Sequence, residues 1–278
     1  MIGQAERLVE LNKLKANKQK PHNGGQIVAF SSGKGGTGKT FISLNTAYSL
    51  AKFKKKILLI DLDANLSNIN IMLNIKAERT LINFFKNINS LKDLIMPYDR
   101  NISFIFGDSG RVDYPFQSEK DLDLLLGEIW ELSKEFDYIF LDIGAGASDD
   151  IIYILKNIHT NILIINPEPT SIMDAYVIVK LLNNAGSVTK NLVVVNKCFN
   201  ENDGNAAFEN ISNAAKHFLH ETVLLLGIVL NDQSVTRMIM AQELYLKKLP
   251  GTQVSMSIMK IAQTLVQRHK LTSTLSAR

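Results

Sequence analysis

Short apolar runs alternate with longer stretches of mixed apolar and polar residues along most of this chain. The apolar runs are rich in Ile, Val, Leu and Phe: QIVAFS, KILLIDLD, ISFIF, DYIFLDI, NILIINP, NLVVVNK and VLLLGIVL. Nearly continuous apolar strands are typical of a parallel sheet that is covered on both faces. The intervening stretches, such as FISLNTAYSLAKF and KDLDLLLGEIWELSKEF, have the length and periodicity of helices. The pattern therefore predicts an α/β fold of right-handed βαβ units, with a doubly wound, mostly parallel sheet flanked by helices.

The first 24 residues have a different pattern, and we interpret residues 1–24 as an N-terminal extension. Ala5, Leu8, Leu11 and Leu14 recur at helical spacing, which predicts a short amphipathic helix. The polar stretch ANKQKPHNGG follows and carries Pro and two Gly near its end, as linkers do.

The remaining residues, 25–278, are predicted to form a single domain. Its last part, residues 254–278, contains a predicted helix and a tail. One face of that helix is apolar and consists of Val254, Ile258, Ile261 and Leu265, with Ala262 and Val266 beside them. Two interpretations stay open: the helix packs on the sheet as the last element of the domain, or it associates with a membrane surface.

Charge is distributed unevenly along the 278 residues, which have a net charge of +4. Residues 1–24 contain five basic and two acidic residues, and residues 247–278 contain six basic and no acidic residues. Such basic ends either aid solubility or contact an anionic membrane or nucleic acid. No apolar run approaches the roughly 20 residues of a membrane-spanning helix, and the N-terminus lacks the apolar core of a secretory signal. We therefore expect a cytoplasmic protein, either free or peripheral at the inner face of the cell membrane.

A glycine-rich segment, SSGKGGTGKT at residues 31–40, matches the phosphate-binding pattern G-x-x-x-x-G-K-[ST] between a predicted strand and a predicted helix. Glycines let backbone N–H groups converge on phosphate oxygens, and the helix N-terminus adds partial positive charge. We expect Lys39 to reach the β- and γ-phosphates and Thr40 to offer its hydroxyl to Mg²⁺. The sequence thus predicts the fold of the P-loop NTPases.

Carboxylates follow two of the predicted strands. Asp61 and Asp63 end KILLIDLD, and Asp142 ends DYIFLDI, just before Gly144 and Gly146. In an open α/β sheet, ligands bind outside the carboxyl ends of the strands. We expect Asp142 and Asp61 to hold Mg²⁺ and Asp63 to orient the attacking water.

Lys34 is not required by the general phosphate-loop pattern. With it, the string KGGTGKT resembles the deviant Walker A motif of the MinD/ParA class of P-loop ATPases, the SIMIBI branch. The resemblance implies that Lys34 of one chain contacts the ATP bound to a second chain, so that ATP drives formation of a homodimer. The implied nucleotide contacts are Gly33, Lys34, Gly35, Gly36, Thr37, Gly38, Lys39, Thr40 and Phe41.

Further strings are similar to the FlhG/FleN (YlxH) branch, which regulates flagellar number and placement: DIGAGAS at 142–148, NPEPTSIMDAY at 166–176, VVNK at 194–197 and GQAERL at 3–8. VVNK implies that Asn196 contacts the adenine. GQAERL implies that Gln4 helps to activate a partner GTPase of the FlhF type. The resemblance therefore implies an Mg²⁺-dependent ATPase and dimerisation switch that acts with flagellar assembly proteins, with catalytic roles for Lys34, Lys39 and Asp63.

Some positions depart from the family pattern, namely Gly3, Asn65, Asn70 and Leu230, which stand where the family usually has Asp, Gly, Asp and Pro. The departures leave the lysines and the carboxylates in place, so we still expect an active ATPase. Three alternatives stay open: a ParA-like DNA- or cargo-partitioning ATPase, a MinD-like division-site ATPase, and a nucleotide-binding adaptor that does not hydrolyse ATP. No motif that reads a base sequence is visible, so we expect no specific nucleic acid partner.

Overall fold

The computed structural model describes residues 24–63, 68–108 and 118–276, with side chains of the last helix described up to residue 269. These residues form one eight-stranded sheet in the order β3-β4-β2-β5-β1-β6-β7-β8. Only the β3–β4 pair is antiparallel. The strands are β1 Gln26–Ser31, β2 Ile57–Leu62, β3 Met96–Asp99, β4 Ile102–Ile105, β5 Tyr138–Ile143, β6 Thr160–Ile165, β7 Lys190–Cys198 and β8 Leu224–Leu230. The predicted doubly wound, mostly parallel sheet is confirmed.

Helices cover both faces of this sheet. In chain order they are α1 Lys39–Lys52, α2 Ile69–Met72, α3 Leu81–Phe85, α4 Glu119–Leu132, α5 Asp149–Leu155, α6 Pro169–Asn184, α7 Glu201–Ala214, α8 Gln233–Met240, α9 Tyr245–Lys248 and α10 Gln253–Ser276. A 3₁₀ turn occupies Lys92–Leu94, and a π-helical turn, Ala215–Leu219, extends α7.

The core consists of two hydrophobic layers, one on each face of the sheet. Successive residues of β1 alternate between them: Ile27 and Ala29 belong to one layer, whereas Val28 and Phe30 belong to the other. This alternation follows from the two-residue side-chain period of a strand. Because both faces are covered, β1 has no polar face, which explains its nearly continuous apolar sequence.

Strand β3 is the one strand of the described sheet that the hydrophobic pattern did not predict. Its sequence, MPYD, is short and mostly exposed. It lies at the edge of the sheet, and its pairing with β4 shifts register between Pro97 and Asp99. Proline and register shifts are tolerated at sheet edges and discourage pairing with further strands.

The order of the strands reverses at β1, which lies between β5 and β6. Strands β5, β2 and β4 follow on one side and β6, β7 and β8 on the other. A crevice forms at such a switch point, outside the carboxyl ends of the strands. The loop after β1 lies in this crevice, and Asp61 of β2 is in register with Asp142 of β5 on one side of it.

Helix α10 packs against α1 and β8. The apolar face noted in the sequence is buried there: Val254, Ile258, Ile261, Ala262 and Leu265 are at most 5% exposed. Those side chains are therefore unavailable to a membrane in this conformation. None of the helices in the described segments combines the length and hydropathy that crossing a bilayer would require.

Candidate functional site

The loop between β1 and α1 takes a conformation that depends on glycine. Gly36 and Gly38 have φ angles of +79° and +90°, a region that glycine enters at little cost. A Cβ atom on Gly38 would lie 2.3 Å from Asn196 Nδ2, which is far inside contact distance. Apart from the flanking residues of the loop, no atom of the described chain lies within 4 Å of the Cβ position of Gly35 or Gly36, so this side of the loop is open towards the described residues.

Two side chains of strand β7 donate hydrogen bonds to carbonyl groups of this loop. Asn196 Nδ2 donates a hydrogen bond of 2.7 Å to the carbonyl oxygen of Thr37. Lys197, whose φ is +59°, donates from Nζ to the carbonyl oxygen of Gly36 at 2.8 Å. The amide nitrogen of Asn196 thus contacts the loop itself, in addition to the adenine contact that the resemblance implies for this residue. No sequence motif predicts this contact of Lys197.

Helix α6 fixes the start of the loop. A Cβ atom on Gly33 would lie 2.3 Å from Asp174 Cβ and 2.5 Å from its backbone carbonyl carbon. Gly33 is therefore required for close packing of the loop on α6. On the opposite side, the N–H of Gly146 donates to the carbonyl oxygen of Ser32 at 2.9 Å, which ties the loop after β5 to the phosphate-binding loop.

Lys39 and Asp142 form a buried ion pair at the bottom of the crevice. Lys39 Nζ lies 2.9 Å from Asp142 Oδ1, and the two side chains are 7% and 1% exposed. Asp142 Oδ2 and the Thr37 hydroxyl are buried without a hydrogen-bond partner in the described residues. Buried polar atoms are rarely left unpaired, so these two atoms fit a site that binds a polar ligand.

Asp61 is held in a fixed orientation beside this pair. Its carboxylate accepts hydrogen bonds from the backbone N–H groups of Asp63, Asn68 and Ile69 at 3.1, 3.0 and 3.2 Å. The Asp63 carboxylate lies next to Gly144, with Oδ1 3.6 Å from the Cβ position of that glycine. Asp63 is therefore close to the loop after β5.

The residues expected to hold Mg²⁺ provide oxygen atoms, which this ion prefers. Thr40 lies in the first turn of α1, and Asp61 and Asp142 are register partners on β2 and β5. In the described part of the chain, no group of three or more His, Cys, Asp or Glu residues forms a metal site by itself. Mg²⁺ commonly keeps water and phosphate ligands and few protein ligands, so the residues present fit an ion that arrives with a nucleotide.

Lys34 points away from the loop to which it belongs. Its Nζ forms an ion pair with Glu168 and donates to Thr170 Oγ1 at 3.2 Å, both at the start of α6. The hydrogen bond from Lys34, together with its charge, lowers the pKa of Glu168. The string NPEPTS contains Glu168 and Thr170, but nothing in the sequence pairs either residue with Lys34.

Phe41 has its side chain in the core. It is 5% exposed, and its ring centroid lies 5.4 Å from that of Tyr245. The nucleotide contact expected for Phe41 would therefore be made by its backbone N–H group and not by its side chain. Gln4 and Asn65 lie outside the described residues.

The CbiA profile, described as the CobQ/CobB/MinD/ParA nucleotide binding domain, matches residues 28–260. The chain belongs to this family. The match spans the phosphate-binding loop, the carboxylates of β2 and β5 and the first third of α10.

Two curated proteins are similar to the chain over most of its length, and the name of one of them refers to the flagellum. The chain is 30% identical over 272 residues to the flagellum site-determining protein YlxH of Helicobacter pylori, covering 96% of this chain and 92% of that protein. It is 27% identical over 238 residues to the antiactivator FleN of Pseudomonas aeruginosa, covering 86% of this chain and 85% of that protein.

Solved structures of the same family share the fold. The cell division ATPase MinD of Pyrococcus furiosus superposes with a TM-score of 0.72 at 23% identity, covering 87% of this chain and 99% of that one. The septum site-determining protein MinD of Pyrococcus horikoshii, solved with Mg-ADP, gives a TM-score of 0.71 at 22% identity, with coverage of 86% and 95%.

Proposed function

We propose that this protein is an Mg²⁺-dependent ATPase whose ATP-bound form is a homodimer, and that it regulates the number or placement of flagella. The proposed ATP site rests on the buried Lys39–Asp142 pair beside the glycine loop. Within the described residues, Asp142 Oδ2 and the Thr37 hydroxyl have no hydrogen-bond partner there. The similarity to YlxH over 96% of the chain supports the flagellar role.

The chain's own groups account for binding of the triphosphate. The N–H groups of the loop and the first turn of α1 surround the phosphates, and Lys39 transfers its contact from Asp142 to the β- and γ-phosphate oxygens. Asp142, once released from Lys39, would hold an Mg²⁺ ion together with Asp61 and Thr40. When bound, that ion neutralises charge on the phosphates.

We assign to Asp63 the role of orienting the attacking water. The Asp63 carboxylate lies beside Gly144, in the loop after β5 that is tied to the phosphate-binding loop. Such a carboxylate orients water towards the γ-phosphate, while Lys39 stabilises the charge that develops on the phosphate oxygens.

We assign to Lys34 a contact with the ATP that is bound to a second copy of the chain. Lys34 lies beside Gly35 and Gly36, where the loop is open towards the described residues, and its ammonium is held at the surface by α6. A second chain that approaches this surface offers a triphosphate with more negative charge than the single carboxylate of Glu168. When Lys34 exchanges Glu168 for the triphosphate bound to the second chain, ATP binding is coupled to dimer formation.

The test is a measurement of mass in solution with ADP, with ATP and with a slowly hydrolysed ATP analogue. We expect monomers with ADP and dimers with ATP. Lys34→Ala should bind ATP as a monomer, and Asp63→Ala should form an ATP dimer that releases phosphate at least about a hundredfold more slowly. An ATP dimer of Lys34→Ala, or unchanged phosphate release by Asp63→Ala, would contradict these assignments.

The flagellar role requires a separate test. Cells that lack the protein should have an altered number or position of flagella, and the wild-type chain should restore them. We assign Gln4 to the activation of an FlhF-type GTPase, so Gln4→Ala should lose that stimulation while ATP hydrolysis is retained. Normal flagella in cells without the protein would contradict the role and leave the ATPase assignment intact.

A further inference from the structure

A cluster of basic residues lies at the edge of the sheet where the parallel strands have their amino-terminal ends, far from the phosphate-binding loop. The turn from α1 to β2 has the sequence KFKKK, residues 52–56, and Arg100 lies in the turn between β3 and β4. We call residues 52–56 and Arg100 the amino-edge basic surface. It includes a cavity of about 190 Å³ lined by Tyr48, Ala51, Lys52, Lys54, Asp99, Arg100 and Asn101.

Part of this positive charge has no carboxylate partner in the described segments. Lys55 forms an ion pair with Asp137 at 2.9 Å. Lys52, Lys54 and Arg100 are exposed, and no salt bridge reaches them from the described residues. The one carboxylate in the cavity lining, Asp99, accepts the backbone N–H of Arg100 at 2.7 Å. The cavity therefore carries an excess of positive charge.

An exposed aromatic side chain stands among these cations. Phe53 is 39% exposed and lies between Lys52 and Lys54 in the sequence. The turn that presents it has a defined conformation, because Lys54 N donates to Ala51 O and Lys55 N donates to Leu50 O, both at 3.1 Å. Lys54 adopts a φ of +59° to make this turn. An aromatic ring between lysines is typical of protein surfaces that contact anionic lipid.

The last helix of the chain reaches the same edge of the sheet. The ring of His269 on α10 lies 5.6 Å from the ring of Tyr138, the first residue of β5. Tyr138 is in register with Ile57 of β2, which directly follows the basic turn. The phosphate-binding loop lies at the other end of these six-residue strands, at a distance of roughly 20 Å.

We propose that the amino-edge basic surface docks the protein on a membrane that contains anionic phospholipid. The cavity between Lys54 and Arg100 accepts the phosphate of a lipid headgroup, and Phe53 enters the interfacial layer. This contact uses the folded core of the domain and leaves the buried apolar face of α10 in place. It requires neither the ATP dimer nor the flagellar role.

Charge and shape favour lipid over nucleic acid. Proteins that bind duplex DNA commonly contact six to ten phosphates along a groove-sized path. Here three cations that have no salt bridge within the described residues, Lys52, Lys54 and Arg100, line one small cavity, and Lys52 also lies over the ring of Tyr48. The ring of Phe53 lies on a short turn beside them. A lipid headgroup offers one phosphate above an apolar layer, which matches that arrangement.

The experiment measures co-sedimentation of the full-length protein with vesicles of phosphatidylcholine alone and of phosphatidylcholine mixed with phosphatidylglycerol. Lys54→Glu combined with Arg100→Glu reverses the surface charge. Lys86→Glu combined with Lys120→Glu makes the same charge change at exposed positions outside the surface. Phe53→Ser changes the aromatic residue without changing the charge. Duplex DNA and inorganic phosphate are added as competitors in separate arms.

We expect binding to the anionic vesicles only, weakened by salt. The Lys54 and Arg100 reversal should weaken binding by about tenfold or more, and the Lys86 and Lys120 control by less than about twofold. Phe53→Ser should also weaken vesicle binding. ATP-dependent dimerisation should not change in any of these variants, which separates this proposal from the proposed function.

Several results would overturn the proposal. Equal binding to neutral vesicles would remove the role of charge, and unchanged binding of the reversal variant would assign the contact to another part of the chain. Displacement of the vesicles by millimolar inorganic phosphate would indicate a site for a soluble anion. A reversal variant that loses DNA binding and keeps vesicle binding would assign the surface to nucleic acid.

Discussion

Lys34 and Glu168 form an ion pair within one chain, although 134 residues separate them in sequence. Thr170 Oγ1 accepts a further hydrogen bond from the same ammonium. The lysine that we assign to the nucleotide of a second copy is therefore already bound to its own chain. Any contact that it makes across a dimer has to compete with this pair.

The first prediction concerns that competition. Glu168→Gln removes the charge that holds Lys34, so the variant should dimerise at a lower ATP concentration, by less than about tenfold because the pair is exposed. Sedimentation across an ATP titration measures the shift. Glu131→Gln is the matched control, since it breaks the exposed Lys134–Glu131 pair elsewhere. A higher ATP requirement for Glu168→Gln would show that Glu168 supports the dimer instead of opposing it.

The second prediction concerns the stability of the protein without nucleotide. Lys39→Met leaves the buried carboxylate of Asp142 without its cation, which should lower the free energy of unfolding by about 3–5 kcal/mol. Adding Asp142→Leu should recover part of that loss, because no buried charge remains. Urea unfolding measures both. Lys55→Met breaks the half-exposed pair with Asp137 and should cost about 1 kcal/mol or less. If Lys39→Met and Lys55→Met lowered the free energy of unfolding equally, the larger loss expected for the buried pair would be contradicted.

The third prediction tests the loop conformation. Gly38→Ala places a Cβ atom at a φ of +90° and 2.3 Å from Asn196 Nδ2. It should break the Asn196–Thr37 hydrogen bond, weaken ATP binding by at least about tenfold and lower the melting temperature. Calorimetry measures both effects. Gly127→Ala, on α4 with no atom within 4 Å of the new Cβ, should leave ATP binding unchanged and stabilise the helix slightly.

The fourth prediction concerns pH. Burial lowers the pKa of His269, and the charge of Lys55 lowers it further, while Asp137 opposes the shift. The unfolded chain therefore binds the proton more tightly than the folded one, so this contribution to stability is complete above about pH 6.5 and decreases as the pH falls below it.

His269→Gln should make the loss of stability between about pH 7 and about pH 5 smaller than in the wild type. Urea unfolding at several pH values measures the slope. A wild-type slope in His269→Gln would assign the effect to other groups.

The parallel strands could be predicted from the sequence because each is covered on both faces, so a single apolar run identifies it. Strand β3 could not, since its exposed MPYD sequence has no apolar pattern and depends on pairing with β4. The phosphate-binding loop was visible as a contiguous motif. Its supports were not: Asp174 against Gly33 and Lys197 on Gly36 are contacts between residues more than 130 positions apart, which only the folded chain brings together.

Asp61 belongs to two parts of the molecule at once. Its carboxylate lies at the crevice and also anchors the first N–H groups of α2. The carbonyl of Ile71 on that short helix accepts a hydrogen bond from Gln242, which joins α8 to α9. Two successive sets of hydrogen bonds therefore link the Asp61 carboxylate, through α2, to Gln242. The position of α2 depends at once on a side chain at the crevice and on a residue of the distant α8–α9 connection.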